Sequence, residues 1–283
     1  MAWTAQGHEF EALVREPAVC LSPGDNTIQS SVGQALFNAP DLLGGQAARA
    51  GVSCASCHTN GRRNAHFYLE GVSTVPGTAD ISSSFFSVVR ANGRFDPTPI
   101  SDLAMPGKIS RDPANGELER FMTGLIVEEF AGREPSRAIL AALAAYVRSV
   151  RACPDRAVQP QTLKQRLFLT SASIRAAGWM AQQQEAQAAA VLISSARHQL
   201  GLVDERFSLP GLARERRMLR AASMALHPIA QARTPDPKQL AAWQQRFEAR
   251  LIPHLLHHEQ RSLYDPVRLS EWVESRTRTA PLR

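Results

Sequence analysis

Apolar side chains recur at helical spacing through most of this 283-residue chain, with one long interruption. Val32, Leu36, Phe37, Leu42 and Leu43 mark a helical segment that Gly44–Gly45 should end. Glu117–Glu129 and Ser136–Arg148 read as two amphipathic helices, the second preceded by Pro135 and opened by Ser136. Between Leu69 and Pro106 the periodicity disappears and Gly, Pro, Ser and Thr dominate. So long an irregular stretch is unusual inside a compact domain unless it wraps something. From Thr162 to Trp272 helical spacing returns, first at Leu163, Leu167, Ile174 and Ala177, then at Leu212, Met218, Leu219, Ala222 and Leu226. Pro210, Pro228, Pro235 and Pro253 should divide this region into about four helices, a small bundle. The fold class expected is all-α.

The length suits two domains. The polar, proline-containing stretch Cys153–Gln161 follows the last helix of the first half and is the expected seam, giving domains of residues 1–155 and 156–283. No apolar run approaches the length of a transmembrane span. The opening residues Met1–Glu9 lack the basic-then-apolar order of a signal peptide.

The chemistry of the chain lies in Cys54-Ala-Ser-Cys57-His58. A Cys-x-x-Cys-His run is the attachment site of a c-type haem: both sulfurs can bond the macrocycle as thioethers, and the adjacent imidazole can ligate the iron. The close spacing lets tether and ligand reach one macrocycle from one helical turn. Half of a zinc site would need a second Cys-x-x-Cys, and the sequence has none. A redox Cys-x-x-Cys would sit in a strand–helix context that the pattern lacks. Haem attachment takes place on the oxidising side of a membrane, which implies an exported, periplasmic protein whose chain as shown starts at a mature or truncated terminus. Disulfides persist in that compartment. The other two cysteines, Cys20 and Cys153, flank the first domain, and a bridge between them is expected.

Further pieces carry a resemblance: Gly33-Gln-Ala-Leu-Phe37, Leu42-Leu-Gly-Gly45, Val52-Ser-Cys-Ala-Ser-Cys-His58, Phe95-Asp-Pro-Thr-Pro-Ile-Ser-Asp-Leu103, Leu118-Glu-Arg-Phe121 and Glu128-Glu-Phe130. Residues 32–150 resemble the C-terminal haem domain of the bacterial di-haem cytochrome c peroxidase and MauG-like superfamily. The resemblance implies a cytochrome c-like domain with long haem-covering loops. Members carry two Cys-x-x-Cys-His motifs and this chain carries one, so the domain in which that family reduces peroxide is expected to be missing or supplied by another protein.

The sixth iron ligand decides between carrier and enzyme. Methionine ligation raises the potential and closes the iron to small molecules. Met105, in irregular chain and followed by Pro106 as the ligand methionine often is in small c-type cytochromes, is the leading choice. His66, Met122 and an open iron are the alternatives. Arg62 and Arg63 suit haem propionates or plain solvent exposure. In the second half, His254, His257 and His258 share a helical face. They read as a polar face. Their spacing also suits a transition metal, with His198, His227 or Glu259 completing the shell.

The net charge of +6 is uneven: residues 1–155 hold 13 basic against 16 acidic side chains, and residues 156–283 hold 19 against 10. The basic second half could face an acidic partner or a membrane surface, or simply be solvated. An exported haem protein gives nucleic-acid binding little support. The reading that follows is a mono-haem cytochrome passing single electrons between redox partners. A peroxidase or MauG-like enzyme, reacting at an open iron, is the rival. A haem sensor or assembly factor that uses the bundle as an interaction module is the third possibility.

Overall fold

The computed structural model describes residues 3–22, 24, 27–154 and 158–279. Met1–Ala2 and the middle of the expected seam, residues 155–157, lie outside them. Helix accounts for 57% of the chain and strand for 5%, so the fold is mainly α, and the all-α expectation needs two small antiparallel sheets added. One pairs β1 (Arg15–Pro17) with β4 (Val158–Pro160), the other β2 (Thr78–Ala79) with β3 (Thr98–Pro99). Ladders this short, with a proline in three of the four strands, leave no period-2 signal to read.

The first half holds α1 (Glu9–Val14), α2 (Ile28–Phe37), the short turns α3 (Pro40–Leu43), α4 (Gly45–Arg49) and α5 (Cys54–Cys57), then α6 (Glu117–Gly124) and α7 (Arg137–Ser149). Thr27 and Ser30 cap α2 reciprocally, each side chain accepting the other's backbone N–H. The segment expected as one helix over 32–43 breaks at Asn38–Ala39 and restarts at Pro40, which suits a first helical position. Ser136 is the N-cap of α7, its hydroxyl accepting from the Ile139 N–H. A π turn over Leu125–Glu129 continues α6.

α2 and α7 pack at Gly33. A Cβ there would stand 1.9 Å from the Ala142 carbonyl oxygen and 2.8 Å from Tyr146 Cβ, so only glycine lets the two backbones approach this closely. Phe37, one turn further on, meets the Tyr146 ring edge-on at 5.2 Å. The stretch between 69 and 106 is irregular, as its composition implies. It is pinned by the buried side chains of Val72, Ala79, Phe86 and Ile100 and by backbone bonds from Gly77 to Phe67 and from Ile100 to Gly77.

The second half is a helical array of α8 (Leu163–Gln182), α9 (Ala186–Arg206), α10 (Ala213–Gln231), α11 (Pro237–Arg246), α12 (Ile252–His257) and α13 (Pro266–Thr279). Thr162 and Gln165 form the capping box of α8. Leu163, Leu167, Ile174, Ala177, Leu212, Leu219 and Leu226 are all buried, as their spacing implies. Two prolines do not divide helices: Pro228 lies inside α10, and Pro253 lies in α12, which runs on from α11 through a π turn over Phe247–Leu251. That widened turn directly precedes Pro253, where the ordinary ladder must lose an N–H. Among the described residues no helix is long and apolar enough to cross a membrane.

One continuous apolar core runs through both halves. Polar contacts join them as well: the Ser195 hydroxyl donates to the Ala35 carbonyl at 2.9 Å, Ser194 bonds Asp41, and Ser136 bonds Glu185. The sulfurs of Cys20 and Cys153 lie at bonding distance with their Cα atoms 5.4 Å apart. Around them the Arg151 N–H donates to the Cys20 carbonyl and the Ser22 N–H to the Ser149 carbonyl.

Candidate functional site

The buried α2–α3–α4 run delivers the chain to Gly51, whose left-handed backbone (φ +72°) turns it into the next turn. Ser53 and Ser56 cap that turn reciprocally, so α5 starts at Cys54 and ends at Cys57. His58 follows at its C-cap. Helical geometry puts Cys54, Cys57 and His58 on one side of the turn and Ala55, Ser56 and Thr59 on the other.

The two thiols are free and only partly exposed. Burial pushes the pKa of each up to about 12, with the neighbouring Cys54 adding to the effect on Cys57. Protonated, desolvated thiols differ from the low-pKa cysteines of redox Cys-x-x-Cys sites. The His58 ring lies 6.4 Å from that of Phe37. Burial lowers the pKa of His58 to about 4, against the opposing pull of the Ser101 carbonyl and the Asp102 carboxylate. The imidazole is therefore neutral at physiological pH, the form that ligates a metal.

Its Nδ1 lies 2.9 Å from the Ser101 carbonyl oxygen. A carbonyl can only accept, so Nδ1 carries the proton and Nε2 keeps its lone pair. Ser101 is itself held in place. The next residue, Asp102, receives a bidentate fork from Arg62, with Nε–Oδ1 and NH2–Oδ2 both 2.8 Å, and the Leu103 N–H donates to the Gly61 carbonyl at 3.2 Å. Burial works against the Asp102 charge, but the Arg62 fork and the Ala104 N–H outweigh it and hold the carboxyl below its usual range. Arg111 clasps the Leu103 carbonyl from the far side. Residues 101–103 thus form a stiff backing for the Nδ1 edge of His58.

The donor set suits a c-type haem. Two thiols and one imidazole leave a single turn on one side, and the imidazole has its proton on the nitrogen facing protein and its lone pair on the other.

A cavity of about 890 Å³ is lined by Ala55, Ser56 and Thr59, and Met105, His66 and His198 also border it. Cys54, Cys57 and His58 do not line it. Met105 is 55% exposed, and Met122 on α6 packs against the core. Arg62 is committed to Asp102, and Arg63 is exposed beside Gly77. In the second half His198 sits against Gly51, His227 lies 3.2 Å from Arg197, and Glu259 accepts from the Leu163 N–H. None of these three completes a shell with His254 and His258. Glu215 is the residue that lies with them, and at 39 positions upstream of His254 on another helix it left no local signal.

Compared with protein-family models, curated proteins and solved structures, the chain matches none. The functional argument rests on its own residues.

Proposed function

We propose that this is an exported mono-haem c-type cytochrome that passes single electrons between redox partners, its first half a cytochrome c-like domain. Cys54 and Cys57 would hold the haem as thioethers, and His58 would ligate the iron through Nε2. When bound, the haem supplies a one-electron iron couple. The observation that carries the reading is the His58 Nδ1–Ser101 bond at 2.9 Å within the Arg62–Asp102 clasp. It fixes the ring plane, leaves Nε2 free and makes the imidazole a stronger donor. Phe37, packed edge-on against Tyr146, is the apolar neighbour of the same ring. The periplasm, where a Cys20–Cys153 bridge would persist, is the proposed location. The partners would be redox proteins, acidic ones if they meet the basic second half.

One observation favours a second reading. Met105 and His66, two of the candidates for the sixth ligand, border a cavity that the thiols and His58 do not line. An iron that receives neither would be open to small molecules, as in the peroxidase-type alternative. Visible spectra of the oxidised and reduced protein, with and without carbon monoxide, separate the two. A carrier closed by a methionine shows a weak band at the red edge of the visible and excludes carbon monoxide. An open iron lacks the band and binds the gas rapidly. A protein with no haem spectrum refutes both.

A further inference from the structure

We propose that Glu215, His254 and His258 form a binding site for a divalent transition-metal ion, zinc being the ion best suited to two imidazoles and a carboxylate. The proposal is independent of the haem reading. Glu215 lies in the first turn of α10 and is only 3% exposed. Among the described residues no lysine or arginine pairs with it; its partners are its own backbone N–H and two imidazoles from the end of α12. A buried carboxylate needs a cation, a proton or several donors to be tolerable.

His254 Nε2 lies 3.0 Å from Glu215 Oε1 and His258 Nε2 lies 3.7 Å from the same oxygen. The donor atoms of all three residues fall within 4.8 Å of one another. Ligands about 2.0–2.1 Å from a tetrahedral zinc stand roughly 3.3 Å apart, and the two observed separations straddle that spacing.

The hydrogen bonding of His258 adds a second, separate observation. Its Nδ1 is 2.9 Å from the His254 carbonyl oxygen, which can only accept, so Nδ1 bears the proton. In the neutral ring the Nε2 lone pair then faces the Glu215 carboxylate. Two acceptors aimed at each other repel unless a proton or a metal ion lies between them, and an imidazole whose far N–H is tied to a carbonyl is the usual second-shell arrangement of a metal ligand. The His254 and His258 side chains are 22% and 17% exposed, so an ion can enter from solvent and a water can fill the fourth position. Bound there, it would tie the start of α10 to the end of α12. His257, whose ring meets His258 edge-on at 5.0 Å, is not part of the set.

The test is zinc titration of the full-length protein by calorimetry after chelator treatment, with zinc counted after gel filtration. A group of exposed His8 and Glu11 with partly exposed His66 could also take up zinc, so the His8→Ala/His66→Ala variant is the background. One zinc per chain should bind in that background and in His257→Ala. Second-shell changes alone cost about 10–100-fold in affinity, so His254→Ala or His258→Ala should each weaken binding at least about 100-fold. Glu215→Gln should do the same; should that buried change fail to fold, the two partly exposed histidines carry the test. No zinc uptake by the wild-type protein, or uptake that survives the histidine changes, or uptake that vanishes in the His8→Ala/His66→Ala background, overturns the proposal.

Discussion

Replacing Cys20 and Cys153 together by serine opens a loop of 133 residues that contains the whole Cys-x-x-Cys-His region. On the chain-entropy estimate, releasing a loop of that length frees about 17 cal/mol/K in the unfolded state, or about 5 kcal/mol at 25 °C. The full value is a ceiling. The β1–β4 ladder and the bonds from Arg151 to Cys20 and from Ser22 to Ser149 hold the same two segments together without the bridge, and residual pairing in the unfolded chain reduces the gain. A loss of about 2–4 kcal/mol is expected. In a protein of this size each kcal/mol moves Tm by roughly 2–4 °C, so the double variant should melt roughly 5–15 °C lower. Thermal melts followed by circular dichroism, with haem content matched, measure this directly. Wild-type and variant proteins should also converge once the wild type is reduced. An unchanged Tm, together with two alkylatable thiols in the oxidised wild-type protein, would refute the reasoning.

Three further outcomes follow. Gly33→Ala should destabilise the protein by at least about 2 kcal/mol despite alanine's advantage of about 1 kcal/mol in a helix, because the new Cβ would sit 1.9 Å from the Ala142 carbonyl oxygen; a variant as stable as wild type in denaturant unfolding sinks the crossing. Met105→Ala should remove the red-edge band and lower the reduction potential, because a thioether ligand raises it; an unchanged spectrum and potential would exclude Met105 as the sixth ligand. The Arg148 fork, with N–O distances of 2.7 and 3.0 Å, holds the Glu119 carboxyl below its usual range. A depressed carboxylate contributes stability above its unfolded pKa and loses it as pH falls through the folded one, so Arg148→Met should flatten the decline in Tm below about pH 4–5. Parallel acid limbs for the two proteins would count against that assignment.

Helices were legible wherever an apolar stripe lay against one core. The stripe of α8 and the capping pair Thr162 and Gln165 mark that helix in the sequence and in the structure alike. The largely irregular 69–106 stretch was equally legible, because its composition sustains no ladder longer than the two-residue β2–β3 pair. Proline misled at 228 and 253, where a helix interior and a π turn absorb the lost N–H. The proposed attachment residues were visible because the chemistry proposed for them requires sequence adjacency. Their support was not. Ser101 and Asp102 are 40 or more residues from the groups they hold, and Glu215 reaches His254 only through the packing of the second-half helices. Contacts made by tertiary packing leave no periodic trace.

The central claim is a covalent haem on Cys54 and Cys57. Its most direct test is the intact mass, under denaturing conditions, of protein exported to the periplasm with the haem-attachment machinery present. The account predicts a gain of one haem per chain that survives denaturation and is absent from the Cys54→Ala/Cys57→Ala variant. A wild-type chain at its bare polypeptide mass, with both thiols free to alkylate, would contradict it.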